Sequence, residues 1–258
     1  VCSSDLTVTS TGLYAQGEWR PAERWIALAG LRATRVKFDS KDYYVVAGNP
    51  DDSGRRSFSQ TTPAAGLAYR FAPTASVYAN YGRGFETPTL IELAYKNVGA
   101  GAGLNFALQP ATSLSKEVGV KAQIAQRARV NLAFFQVTTN QEIVVDQSVG
   151  GRTTYKNAPQ TYRKGVEFSA EAYLGAGFEG YFAYTWLDAR FTQPFTTNST
   201  DCITVPPKAS TVTVTSNKNL PGVPGYNVYG ELVWRYAPLG FHVAGEVDRK
   251  STRLNSSH

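Results

Sequence analysis

Hydrophobic and polar residues alternate with a period of two over much of the chain, which is the pattern of a β-strand with one apolar face. In segment 160–174, Val166, Phe168, Ala170, Ala172 and Leu174 share one side, and Gly165, Glu167, Ser169 and Glu171 share the other. In 113–125, Val118, Val120, Ala122 and Ile124 oppose Glu117, Gly119, Lys121 and Gln123. In 226–237, Val228, Leu232 and Trp234 oppose Asn227, Glu231 and Arg235; in 7–20, Leu13, Ala15 and Trp19 oppose Gln16, Glu18 and Arg20. With 24–39, 58–71, 75–86, 128–140, 178–191 and 240–247, ten strands are predicted. The patterns of 128–140 and 178–191 are mixed and assign no face. Each segment is about ten residues or longer, the length a tilted strand needs to cross a bilayer, whereas soluble strands average about 5–6 residues.

Alternation alone also fits a soluble sandwich packed on a second sheet. The connections between strands separate the two. Short turns (Pro21-Ala22-Glu23, Ala72-Pro73-Thr74, Gln126-Arg127, Gly175-Ala176-Gly177, Pro238-Leu239) alternate with long segments at 40–57, 87–112, 141–159 and 192–225. Bacterial outer-membrane barrels have short periplasmic turns and long extracellular loops. The predicted fold is therefore all-β: a transmembrane antiparallel β-barrel fragment, an up-and-down meander of about ten long strands that does not close. Its two edges would lack partners, a template for aggregation. In the stretch Val77 to Gly82, Val77, Ala79 and Tyr81 are expected to face lipid, and Ser76, Tyr78, Asn80 and Gly82 the lumen. Trp19, Trp25, Tyr69, Phe71, Trp234 and Tyr236 lie beside short turns and are the predicted membrane-interface aromatics, because amphipathic rings prefer the headgroup level.

Composition narrows the class further. The 258 residues include 15 Tyr, 13 Phe and 23 Gly, and no run of about 18 apolar residues occurs that would make a transmembrane helix. A mean hydropathy of −0.27 looks soluble, as it does for barrels whose strands alternate lipid-facing and lumen-facing positions. The net charge is +6, but the basic residues are scattered and often neighbour acids, as in Lys116, Glu117 and Lys121, so no nucleic-acid partner is expected.

The sequence has no Met and no signal peptide at its start, which predicts a fragment of a longer protein. Val1-Cys2-Ser3-Ser4-Asp5-Leu6 and Asp248 to His258 are both encodable by a common sequencing adapter read in opposite orientations. Residues 1–6 and 248–258 are therefore expected to be adapter-derived, leaving 7–247 as the strand-bearing segment. Without them two acids and three bases are lost and the charge becomes +5; Cys202 and His242 are then the sole Cys and His. A single thiol forms no intrachain disulfide and a single imidazole no metal cluster, so no metal site and no cofactor are predicted.

Several motifs resemble those of TonB-dependent outer-membrane receptors of the siderophore-receptor type. They are Gly82-Arg83-Gly84-Phe85 followed by Pro88-Thr89-Leu90-Ile91-Glu92-Leu93, Tyr14-Ala15-Gln16-Gly17-Glu18-Trp19, Ser115-Lys116-Glu117-Val118-Gly119-Val120-Lys121, Tyr155-Lys156-Asn157-Ala158 with Lys164-Gly165-Val166-Glu167, Tyr184-Thr185-Trp186-Leu187-Asp188-Ala189, and Leu220-Pro221-Gly222-Val223-Pro224. Their order and spacing are more specific than any one of them. The resemblance implies a 22-stranded barrel with an N-terminal plug, of which this chain is the C-terminal part of the barrel, lacking the plug, the early strands and the last. It implies the bacterial outer membrane, contact with outer-membrane lipid, and active uptake of an iron chelate or other small ligand energised by the TonB complex through the plug. A passive porin-like channel is the alternative.

No enzyme is predicted and no catalytic residue is assigned. Gly82-Arg83-Gly84 and Gly99-Ala100-Gly101-Ala102-Gly103 do not open a helix after a buried strand, as a phosphate cradle requires. His242 lies on the last strand, far from the long segments, which leaves no Ser-His-acid set there. Glu167 and Glu171 are expected to hydrate the lumen or pair with bases. Ligand capture is expected on the long loops, where a rigid scaffold carries recognition. Tyr95, Lys96 and Phe106 are its candidates by residue type, suited to an aromatic or anionic chelate.

Overall fold

The computed structural model describes residues 4–47, 51–96, 104–149, 152–201 and 208–251. Ten strands form one antiparallel sheet: β1 (Ser4–Ala22), β2 (Trp25–Asp42), β3 (Gly54–Ala72), β4 (Ala75–Glu86), β5 (Ala111–Ile124), β6 (Ala128–Val149), β7 (Arg152–Gly175), β8 (Phe178–Phe191), β11 (Tyr226–Tyr236) and β12 (Phe241–Lys250). Each pairs with its neighbour in sequence, except that β8 pairs with β11. Between those two lies a separate hairpin, β9 (Phe195–Asp201) and β10 (Lys208–Val214). One helical turn, α1 (Leu90–Leu93), follows β4. A 3-10 turn at Ala237–Leu239 joins β11 to β12.

The ten predicted strands are all present, but two of the segments expected to be long loops are not loops. Residues 141–159 continue β6 and β7 as a paired hairpin, giving strands of 22 and 24 residues, and 192–225 holds the β9–β10 hairpin. The short turns form as the sequence predicts, with tight geometry. Ala125 and Gln126 both take positive φ (47° and 56°), which matches the right-handed twist of the flanking strands. In the β2–β3 loop, Ser53 donates to Asp51 and holds that carboxyl below the usual range.

Register fixes the two faces. Tyr78 pairs with Gly119, Gly119 with Ala133, Ala133 with Glu167 and Glu167 with Thr185, so these positions share one face. That face is the inner one, because at its outer end Phe38 and Phe58 of β2 and β3 meet Tyr155 of β7, four strands away from β3. Ser76, Tyr78, Asn80 and Gly82 lie on it, and Val77, Ala79 and Tyr81 on the opposite face. The inner wall is polar: Asn131 donates to Ser169 at 3.1 Å, Arg235 to Glu179 at 3.1 Å, and the Tyr229 hydroxyl contacts Glu231 and Glu246. Its glycines are floors for rings. A Cβ on Gly119 would stand 2.6 Å from Tyr78 Cζ, and one on Gly165 2.5 Å from Phe135 Cζ.

The outer face is apolar and uncovered. Trp19 is 68% exposed, Leu174 64% and Phe134 50%, so no second sheet packs there as a sandwich requires. The predicted interface aromatics cluster on this face near the short turns: the Trp25 and Tyr69 rings lie 4.6 Å apart, and Trp234 stacks with Phe178 and touches Tyr236. Buried apolar residues gather instead at the opposite end, in a cluster of Phe38, Phe58, Leu93 and Leu108 and another of Ala158, Ala189, Phe191 and Leu220.

Among the described residues, β1 and β12 each have one unpaired edge. Long edges with free N–H and C=O groups pair with other chains. The 258-residue chain refolded by itself in detergent is expected to self-associate; a monodisperse monomer by light scattering would contradict this.

Candidate ligand site at the outer mouth

At the long-loop end, β3 and β4 separate beyond the Ala64–Gly82 pair. The segment after β4 folds over the wall there. Thr89 caps α1 reciprocally: its backbone N–H donates to Glu92 Oε2 at 2.7 Å, and the Glu92 N–H donates to Thr89 Oγ1 at 3.3 Å. This places Leu93, 1% exposed, into the cluster with Phe38, Phe58 and Leu108. Residues 104–110 then run back to β5, held by the β6–β7 hairpin.

That hairpin is anchored through the Tyr155-Lys156-Asn157-Ala158 motif, and each member has a separate role. Tyr155 packs against the Phe38–Phe58 cluster and Ala158 is fully buried in the second. The Asn157 side chain accepts from Gln109 N–H at 2.8 Å and donates to the carbonyls of Gln109 and Gln141, each at 2.8 Å. Lys156 Nζ lies 3.1 Å from Asp146, a carboxylate only 6% exposed. Asp146 also accepts from the Thr197 hydroxyl, the Asn198 backbone and the Asn198 side chain, which ties β9 to β6.

Beneath these segments, a cavity of about 500 Å³ opens on the inner wall. It lies between the ends of β4 and β5, α1, and the bend of β6 and β7. Glu86 and Glu92 line it on one side, Ser113 and Thr139 form its floor, and Glu142 and Arg163 face it together. Gln141 takes φ 57°, and this left-handed step turns Glu142 to the inner face. There Arg163 Nη1 donates to Glu142 at 2.9 Å, to Thr161 at 3.0 Å and to Thr139 at 3.4 Å, while its Nη2 pairs with the second carboxylate oxygen. Thr161, fully buried, donates to the same carboxylate. The two-point clamp fixes the guanidinium plane and leaves the cavity with two acids, Glu86 and Glu92, that make no ion pair among the described residues. The described residues contain no group of three or more His, Cys, Asp and Glu placed to hold a metal ion.

Tyr95, Lys96 and Phe106 are dispersed around this site and do not line the cavity. Tyr95 lies under the Arg152 guanidinium at 5.2 Å. Lys96 is exposed. Phe106 packs on the Phe38–Phe58 cluster, so close to Gly54 that a Cβ there would stand 2.5 Å from its ring. Of the cavity residues, Gly84, Phe85 and Glu92 fall within a motif visible in the sequence, but none of the cavity residues is marked there as a ligand contact. Thr89-x-x-Glu92 carries a visible capping signature, but the Glu142–Arg163 pair depends on the Gln141 turn, which no sequence pattern marks.

An antiparallel meander of long strands with an exposed apolar outer face and a polar inner wall is the wall of a transmembrane β-barrel. Residues 3–255 match the family described as TonB dependent receptor-like, beta-barrel. The chain belongs to this family of bacterial outer-membrane proteins. Among solved structures it is similar to the copper transporter OprC (17% identity, TM-score 0.68, covering 91% of this chain and 33% of that one). It is also similar to the alcaligin outer-membrane receptor FauA of Bordetella pertussis (21%, 0.62, 96% and 38%) and to the hemophore receptor HasR of Serratia marcescens (16%, 0.68, 94% and 44%). The chain thus spans between a third and a half of the length of these structures.

Proposed function

We propose that the chain is part of an outer-membrane receptor that imports a small metal chelate, energised by the TonB complex of the inner membrane. The observation that carries this reading is the open cavity on the inner wall at the long-loop end, in a chain of this receptor family. The solved structures it resembles include a copper transporter, an alcaligin receptor and a hemophore receptor bound to heme, which supports a metal-bearing ligand. A cavity of this size suits a ligand of drug-like dimensions. Its Glu86 and Glu92 favour a chelate with amine or hydroxyl donors over a strongly anionic one. Tyr95, Lys96 and the loop that carries Phe106 are proposed as outer contacts made before the ligand reaches the cavity. A plug, proposed for the complete receptor, couples to TonB; no enzymatic step is proposed, and no observation favours a passive channel.

The test is uptake of radioactive iron by cells carrying the complete receptor, presented as a trihydroxamate, a triscatecholate and citrate. One chelate is expected to accumulate, and an uncoupler or loss of TonB is expected to abolish this. Accumulation that survives both treatments would establish a passive channel instead.

A further inference from the structure

The β6–β7 hairpin is interrupted at one level, and the cavity lies in its crook. The ladder pairs Asn140 with Gln160 and then Glu142 with Ala158, with no pair between them. Gln141 stands at this break with φ 57°, and Pro159 across from it has no N–H to give. The Gln141 carbonyl accepts instead from the Asn157 side chain at 2.8 Å. A broken ladder with one residue outside the β region is a place where a few dihedrals absorb a change of direction, as a hinge requires. Beyond the break lie two arms, 142–149 and 152–158; before it, β6 and β7 belong to the wall. The cavity takes Glu142 and Ile143 from the arms and Ser113, Thr139 and Arg163 from the wall. The angle between arms and wall therefore sets its width.

Few contacts hold the arms in place. Glu142, the first residue past the break, is gripped by Arg163 on both carboxylate oxygens and by the Thr161 hydroxyl, and both partners are wall residues. Parallel bonds to a planar guanidinium fix orientation as well as position, so they set the direction in which the arm leaves the pivot. Farther out, Asn157 bonds the Gln109 backbone, Asn105 donates to the Tyr155 carbonyl at 3.1 Å, and Tyr155 packs on the Phe38–Phe58 cluster. Val144 and Ala158 pack on the second buried cluster close to the pivot, where a swing displaces them least. Asp146 ties the arms to β9, a strand outside the ten-stranded sheet.

We propose that the two arms swing as a lid over the cavity about Gln141 and Pro159, with the Glu142–Arg163 pair as its latch. The lid admits a ligand to the cavity and retains it there, a role that rests on the cavity being the ligand site. Because the latch is part of the cavity wall, a ligand group that competes for Arg163 or for Glu142 releases the lid from within.

The test is a spin-label distance measurement on the complete receptor in detergent, with nitroxides at Ser59→Cys on β3 and Ser148→Cys on the lid in a Cys202→Ser background. Both labelled positions are exposed. A major shorter distance and a minor longer one are expected, and Glu142→Gln is expected to raise the ratio of longer to shorter roughly tenfold, the scale of one coupled ion pair. A single distance, unchanged by Glu142→Gln, would overturn the lid. A longer population that grows in Asn157→Ala but not in Glu142→Gln would overturn the latch. Should Glu142→Gln fail to fold, Arg163→Lys keeps the charge and loses the two-point grip, and a smaller rise is expected from it. In a second readout, association and dissociation of the chelate identified by uptake should both quicken in Glu142→Gln; faster dissociation alone would make Glu142 a ligand contact and overturn its role as latch. The distances are read without chelate. An immobile lid therefore leaves the import reading standing, and a mobile lid in a receptor that imports nothing removes that reading alone.

Discussion

Asp146→Ala is expected to free the β9–β10 hairpin from the β6–β7 hairpin while leaving the barrel wall intact. Asp146 is 6% exposed and serves four donors at once: Lys156 Nζ at 3.1 Å, the Thr197 hydroxyl at 3.3 Å, Asn198 N–H at 3.2 Å and the Asn198 amide at 3.0 Å. Removing it strands the Lys156 ammonium in a half-buried position and leaves the two Asn198 donors without their acceptor, while the Thr197 hydroxyl keeps the Asp146 backbone carbonyl at 3.0 Å. Breaking a buried pair from one side costs about 3–5 kcal/mol; because Lys156 keeps some access to water, the lower end applies. The loss is local, since this hairpin pairs with no strand of the ten-stranded sheet. Amide exchange in 195–201 and 208–214 of the complete receptor is expected to quicken roughly a hundredfold, with 160–175 unchanged. Undiminished protection of β9 would show that apolar packing of Phe195 and Val214 on the second cluster, rather than Asp146, holds it. Asp146→Asn, which retains an acceptor and loses the charge, should fall between the two.

The strands of the wall were legible because one face must be apolar for lipid and the other wet, and register then propagates the same parity across ten strands. The two strands with mixed patterns, 128–140 and 178–191, resisted assignment because their inner faces also carry apolar residues: Ala133, Phe135 and Val137 on β6, Ala183 and Leu187 on β8. The family motifs were legible as strings before their causes were. Gly119 and Gly165 are required because Tyr78 and Phe135 lie over them, and Asn157 because it bridges two backbones at once. What stays above the membrane was not legible. The sequences of β9 and β10 place Thr, Ser or Asn on both faces, so alternation has nothing to mark. The hairpin at 141–159 is interrupted by the left-handed Gln141 and by a register shift between Val145 and Gln147, which break its period. Candidate ligand residues chosen by type, Tyr95, Lys96 and Phe106, therefore lie on the loops but apart from the cavity, whose wall includes Glu142 and Ile143 of the 141–159 hairpin.

Arg163→Ala is expected to have the largest effect on ligand binding. Its guanidinium holds Glu142 by both carboxylate oxygens, and the pair also engages Thr139 and Thr161. Glu142 and Arg163 are 19% and 25% exposed, so removing the cation leaves a largely buried carboxylate uncompensated beside Glu86 and Glu92. That costs about 3–5 kcal/mol and is relieved by displacing Glu142 and the Gln141 turn that presents it. The cavity wall moves with them. The affinity of the complete receptor for the chelate identified by uptake is expected to drop by at least a hundredfold, on the scale of about 1.4 kcal/mol per factor of ten. Barrel formation, read as heat-modifiable mobility on gels, should not change, because the ladders of β6 and β7 do not depend on this side chain. Arg163→Met with Glu142→Gln removes both charges and their mutual need. It should recover part of the binding lost by Arg163→Ala, with a coupling of roughly 1–3 kcal/mol in a double-mutant cycle. If the combined variant binds as poorly as the sum of its single changes, the pair contacts the ligand through two independent groups and does not act as one clamped wall.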